Sequence, residues 1–230
     1  MSNDTNDTGV NRHGDDMTQK MQEYLSAYEP DHLRLLLWAV RHLAHGHPLT
    51  PAQIDQRIAE LDIAPDAAHQ TLRELTEQDA RGDIVGAMGL SLLSDHPHRF
   101  SVADVSLSAW CAGDTLFLPA LLQQTATIES PSPVTHTIVR LRVSPTRVED
   151  VSPASAVMSS VLMDPRRADL TSVEAVLSAY CRNIHFFATR AEAKQWANGR
   201  EDLAILTVDE GFAEERQVSA GVLAIVGQSA

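Results

Sequence analysis

Apolar residues recur with a helical period from Leu33 onward. In LRLLLWAVRHLAHG, Leu33, Leu36, Leu37, Val40 and Leu43 share one face, and Gly46 stands where a helix stops. In PLTPAQIDQRIAELDI, Thr50 is placed to cap a helix, Pro51 takes its first position, and Ile54 and Ile58 are spaced for burial. APDAAHQTLRELTEQD predicts a third helix with Leu72 and Leu75 facing inward. The period then shortens. GDIVGAMGLSLLSDHPHRFSV alternates around Gly82, Gly86 and Gly89, which predicts a β-hairpin turning at SDHPH.

Three helices and a hairpin are the layout of a winged helix-turn-helix. Beyond Phe100 the pattern is mixed. FSVADVSLSAW reads as a strand, and CAGDTLFLPALLQQ as a helix broken or bent near Pro119. THTIVRLRVSPTRVEDV, SAVMSSVLM, NIHFFAT and EDLAILTVDEGF supply further strands. TRAEAKQWANG carries a capping-box signature, Thr189 followed by Glu192. TSVEAVLSAYCRN fits either helix or extended chain. Strands and short helices without a regular βαβ repeat predict an α+β fold. The expected organisation is a disordered acidic tail over residues 1–20, a winged-helix-like domain over 21–100, and a mixed α/β catalytic domain over 101–230.

Charge narrows the partners. The net charge is −13, and Lys20 and Lys194 are the only lysines. Residues 30–100 hold six Arg against ten Asp and Glu. The third helix presents Asp66, His69, Gln70, Arg73, Glu74 and Glu77, a net acidic set that repels phosphates. The winged helix therefore reads as a packing scaffold, not a nucleic-acid reader. No apolar run is long enough for a membrane span, and the N-terminus has neither a basic flank nor an apolar core, so a cytoplasmic location is expected.

The chemistry centres on two cysteines, Cys111 and Cys181. Their separation fits neither a disulfide framework nor a zinc pattern, and burial as small apolar residues is the ordinary alternative. Cys111 falls where a strand gives way to a helix. Unpaired N–H groups and the helix dipole there should draw its pKa toward neutrality. Asp114 lies three residues on, on the same face. Its charge works against the dipole unless the two groups share a proton. No histidine adjoins Cys111, which weakens a protease or acyl-transfer reading. His45, His47, His96 and His98 form i,i+2 pairs at expected turns, where solvation is the ordinary state. His185 reads as a core or supporting histidine, and Trp110, Phe186 and Phe187 as core or pocket lining.

The segment Ala109-Trp110-Cys111-Ala112-Gly113-Asp114-Thr115-Leu116, followed by Pro119-Ala120-Leu121, resembles the active-site segment of the organomercurial (alkylmercury) lyases. Tyr180-Cys181-Arg182-Asn183-Ile184-His185-Phe186-Phe187 resembles that family's second cysteine motif. Trp196, Leu203-Ala204-Ile205 and Asp209-Glu210-Gly211-Phe212 fit its C-terminal part. The resemblance spans roughly residues 30–215, winged-helix half included.

It implies a lyase that cleaves the carbon–mercury bond of alkyl- and arylmercury compounds to a hydrocarbon and Hg(II). Cys111 and Cys181 are then the two catalytic thiols and Asp114 the proton shuttle, all three meeting substrate and product mercury. No bound cofactor is implied. External small-molecule thiols would support turnover, and a mercuric reductase could accept the Hg(II). Two departures stand out. Gly113 replaces a bulkier apolar residue, which could loosen the helix start, and Arg182-Asn183 replaces a Cys-His pair, with Arg182 a candidate to favour the Cys181 thiolate. Two other readings share these residues: a winged-helix regulator sensing mercury or oxidants, and a mercury-sequestering relative without catalysis.

Overall fold

The computed structural model describes residues 28–162 and 172–227. The acidic tail expected over 1–20 lies outside them, as does Thr171. The architecture is α+β, with seven helices and two antiparallel sheets among the described residues.

Helix α1 (Pro30–Leu43) buries Leu33, Leu36, Leu37, Val40 and Leu43, the face read from the sequence. α2 (Pro51–Glu60) starts with a full capping box between Thr50 and Gln53 and buries Ile54 and Ile58. α3 (Pro65–Leu75) buries Leu72, while Leu75 is only half-buried. The chain passes directly into β1 (Thr76–Gln78), which pairs with β2 (Ile84–Ala87).

Two turns differ from the reading of the alternation. β2 turns back at Met88–Gly89, where both residues have positive φ, to pair with β3 (Leu90–Ser91). SDHPH instead leads into β4 (His98–Val102), which pairs with β5 (Val105–Ala109) through a turn at Ala103–Asp104, again with positive φ at both positions. FSVADVSLSAW is thus two strands. A two-residue turn preserves the period of two, so alternation alone runs straight through it.

The large sheet continues through β6 (Ala126–Pro131), β7 (Ile138–Val143) and β8 (Val148–Ser152), in the order β1-β2-β3-β5-β4-β6-β7-β8. β4 crosses residue 100, so strands from both sides of that point share one sheet. The smaller sheet places β9 (Val157–Val161) between β10 (Phe186–Phe187) and β11 (Leu203–Thr207).

Helix α4 (Ala112–Leu122) is apolar on every side; all its residues but Asp114 are buried. Such a helix belongs in a core, and it packs against α1 and α7. It runs unbroken through Pro119 and stops at Gln123, in the left-handed conformation. α5 (Val173–Ala179), capped by Ser172, settles the ambiguous TSVEAVLSAYCRN stretch as helix up to Ala179. α6 (Arg190–Ala197) is capped by Thr189, but Glu192 does not complete the box. Its carboxylate accepts from Ser132 Oγ at 2.6 Å and from the Ala188 N–H at 3.3 Å.

The last helix, α7 (Val208–Gly227), replaces the expected end of a strand. It opens on a capping box the sequence reading passed over. Thr207 N–H donates to Glu210 Oε2 at 2.7 Å, and Glu210 N–H donates to Thr207 Oγ1 at 3.2 Å. One continuous apolar cluster joins α1, β4, α4 and the segment around Phe186.

Candidate active site

Trp110 leaves β5 with its N–H bonded to the Gly89 carbonyl at 2.9 Å. The chain then enters α4 with Cys111 as N-cap in extended conformation. A cap normally needs a side-chain oxygen. Here sulfur takes that place: Asp114 N–H points at Cys111 Sγ at 3.5 Å, and Asp114 Oδ2 accepts from the Cys111 N–H at 2.8 Å. The acid and the thiol are fixed to each other by the geometry that starts the helix. Gly89, with φ +87°, closes the other side of Asp114, and a Cβ there would lie 2.4 Å from the carboxyl carbon.

Cys181 sits in a different setting, the 3₁₀ turn Cys181–Asn183 that follows α5. β9 holds that turn from behind. Ser159 Oγ donates to the Asn183 carbonyl at 2.7 Å and accepts from the His185 N–H at 3.0 Å. One backbone bond ties the two cysteine segments together, from Ala112 N–H to the Ile184 carbonyl at 3.2 Å. The result is convergence. Cys111 Sγ, Cys181 Sγ and an Asp114 oxygen all lie within 4.8 Å of one another, and both thiols are free.

These groups open onto a cavity of about 240 Å³ with apolar walls that include Leu33, Met88, Trp110, Phe117 and Val218. Low polarity sets the proton affinities. Burial pushes the Cys111 thiol well above its usual value, helped by the Cys181 sulfur and the Asp114 and Glu215 carboxyls. This reverses the drop expected from the helix dipole. A helix terminus contributes about 0.3–1 kcal/mol, rising to about 2 in favourable geometry, whereas full burial shifts a pKa by up to about 3–5 units at about 1.4 kcal/mol each. For Cys181 the contact with Cys111 pulls down, but burial and the nearby carboxyls leave it raised. Burial also lifts Asp114 to about 6, against the hydrogen bonds from Cys111 that favour its charged form.

The structure corrects the sequence expectations for Arg182, His96 and His98. Arg182 is exposed and is not among the groups that shift Cys181. His96 and His98 are not solvated turn residues. His96 pairs with Glu77 Oε1 at 2.8 Å, and buried His98 bonds Ser130 Oγ at 2.8 Å, with burial lowering its pKa to about 3. His45 and His47 are exposed. His185 packs against Trp196 and Phe187, away from a direct role at sulfur.

Sequence reading missed Glu214 and Glu215, which α7 brings to the cavity wall. Glu214 accepts from Ser160 Oγ at 3.3 Å. The available signal was the Thr207–Glu210 capping box, which marks a helix where a strand was expected to end.

The sequence model of the alkylmercury lyase family matches residues 92–218. The chain is 37% identical over 183 residues to the alkylmercury lyase of Staphylococcus epidermidis, with 79% of each chain covered. Identity to the Streptomyces lividans alkylmercury lyase is 37% over 183 residues, covering 79% of this chain and 80% of that one. The Pseudomonas putida alkylmercury lyase is 30% identical over 205 residues, covering 85% and 88%. Among solved structures, the mercury-bound form of MerB2 superposes with a TM-score of 0.74 at 21% identity, covering 90% of this chain and 98% of that one.

Proposed function

The chain belongs to the alkylmercury lyase family, and from that premise we propose that Cys111, Asp114 and Cys181 together perform its carbon–mercury cleavage. The observation that carries the assignment is the meeting of two free thiols and a carboxyl within 4.8 Å, at one apolar cavity.

Sulfur is the donor that suits mercury, because soft ligands prefer soft metals. Cys111 captures R–Hg, and its proton passes to Asp114, whose bond to the Cys111 N–H holds it in range. Cys181 adds as second sulfur ligand. Two thiolates push electron density toward carbon, and Asp114 delivers the proton that releases R–H. With both thiols held protonated by burial, capture depends on a base at hand; an acid of pKa about 6 can accept and return a proton near neutrality. Small-molecule thiols then carry Hg(II) from the two sulfurs, to a mercuric reductase where one is present.

We further infer that residues 21–100 act as a winged-helix-like scaffold and 101–230 as the catalytic part. Leu33, Leu36 and Leu75 of the first part wall the cavity whose thiols come from the second. No helix among the described residues is long and apolar enough to cross a membrane, and we place the reaction in the cytoplasm, where thiols stay reduced. The assay is benzene release from phenylmercury in excess thiol. Cys111→Ser and Cys181→Ala should abolish it; near wild-type release by either would overturn the assignment.

A further inference from the structure

We propose that Glu215 is a second proton-carrying residue of this site, lodged beside Cys111 across the bare α-carbon of Gly113, where it handles the proton that Asp114 leaves unassigned. The proposal rests on the two-thiol reading above. α7 packs against α4, and Glu215 faces the same cavity as Cys111, Asp114 and Cys181. A Cβ at Gly113 would stand 2.5 Å from Glu215 Oε1 and 3.5 Å from Cys111 Sγ. Carboxyl and sulfur therefore flank the same gap, one that only glycine leaves open. Gly113, one of the departures in the active-site segment, makes room for this carboxyl.

Glu215 is half-buried at the cavity wall, with no basic group among the described residues acting on it. Among the described residues, the charges acting on Glu215 are the carboxylates Asp114 and Glu214, and burial with this repulsion raises it to about 8. Two other carboxyls at the same cavity favour its protonated form.

Proton accounting gives it a task. Two thiols each lose a proton to mercury, yet carbon takes only one. Consider a substrate bound to an external thiol, R–Hg–SR′. Cys111 S–H breaks as S–Hg forms, and Asp114 takes that proton. The displaced R′S⁻ leaves with the proton of Glu215 as R′SH. Cys181 S–H then breaks as its S–Hg bond forms, and its proton restores Glu215. The carbon–mercury bond breaks with its electron pair on carbon, which takes the proton from Asp114. R–Hg–SR′ and two thiols become R–H, R′SH and mercury on two sulfurs, with both carboxyls returned to their starting states.

The test is single-turnover benzene release from phenylmercury delivered on thiols of low and high pKa, comparing wild type with Glu215→Gln. We expect the variant to bind one Hg(II) per chain as wild type does, and to release benzene about a hundredfold or more slowly with a high-pKa thiol. It should recover most of that rate with an acidic arenethiol, which departs as the thiolate while the Cys181 proton passes to solvent in either protein. Equal rates in both proteins, or a slowing independent of the thiol, would overturn the proposal. Should Glu215→Gln fail to bind mercury, Gly113→Ala, whose methyl displaces the carboxyl, takes its place and should show the same dependence on the thiol. Benzene release by Cys111→Ser at the wild-type rate would instead break the underlying two-thiol reading.

Discussion

The two cysteines reach the same point by unlike means. Cys111 caps the most buried helix among the described residues, its N–H and sulfur both engaged by Asp114. Cys181 stands on a three-residue turn behind α5, a helix with no fully buried residue. Serine hydroxyl bonds from β9 hold that turn. The difference suggests a division of labour: a preorganised thiol–acid unit that captures the substrate, and a lightly anchored sulfur that closes on mercury afterwards.

The largest effects should come from breaking the preorganised side. Asp114→Asn preserves an acceptor for the Cys111 N–H but carries no exchangeable acid. It should retain mercury binding and lose about 10²–10⁴ in the rate of hydrocarbon release, read under single-turnover conditions. Asp114→Ala should show the same kinetic loss. If mercury binding falls in parallel with release in Asp114→Asn, capture and protonation are not separable and the division fails.

A middle-sized effect is expected on the other side. Ser159→Ala removes the hydroxyl that both donates to the Asn183 carbonyl and accepts from the His185 N–H. It should cost about 1 kcal/mol of stability, since two part-buried backbone groups lose their partner. The kinetic signature should be confined to closure. The first sulfur–mercury bond would form at the wild-type rate, and the second, followed by thiolate–mercury absorbance, more slowly. A slower first bond would show that both sulfurs depend on the same scaffold.

What the sequence disclosed follows the same contrast. Cys111 and Asp114 were legible because an i,i+3 relation at a helix start is local, and their contact needs no knowledge of the fold. Cys181 was reached through family resemblance alone, because no short-range pattern states that a residue seventy positions on will meet Cys111. The direction of the thiol shift was misjudged for a related reason. A helix dipole is visible in sequence, whereas the burial that outweighs it is assembled from α1, α7 and the sheet. Glu215 escaped notice because it acts across an interhelical contact, α4 against α7, that hydrophobic periodicity does not specify. His98 looked solvated in a run of turn-forming residues, yet its strand places it 1% exposed.

His98 supplies the finest test of the comparison. It sits behind the second cysteine motif, its ring stacked 6.3 Å from His185 and set edge-on to Phe186 at 6.4 Å. Its folded pKa of about 3 lies below the value of about 6.5 of an unfolded chain. Between those values the unfolded state binds more protons, so this histidine's contribution to stability is complete above about pH 6.5 and is lost progressively as pH falls toward 3. His98→Gln should flatten that acid-side slope in denaturant titrations between pH 6.5 and 4. Hydrogen exchange should locate the loss: on acidification, amides of residues 184–187 should lose protection before those of α4, and the mutant should remove that order. Loss of protection in α4 first would mean that the capturing thiol, and not the closing one, rests on the weaker foundation.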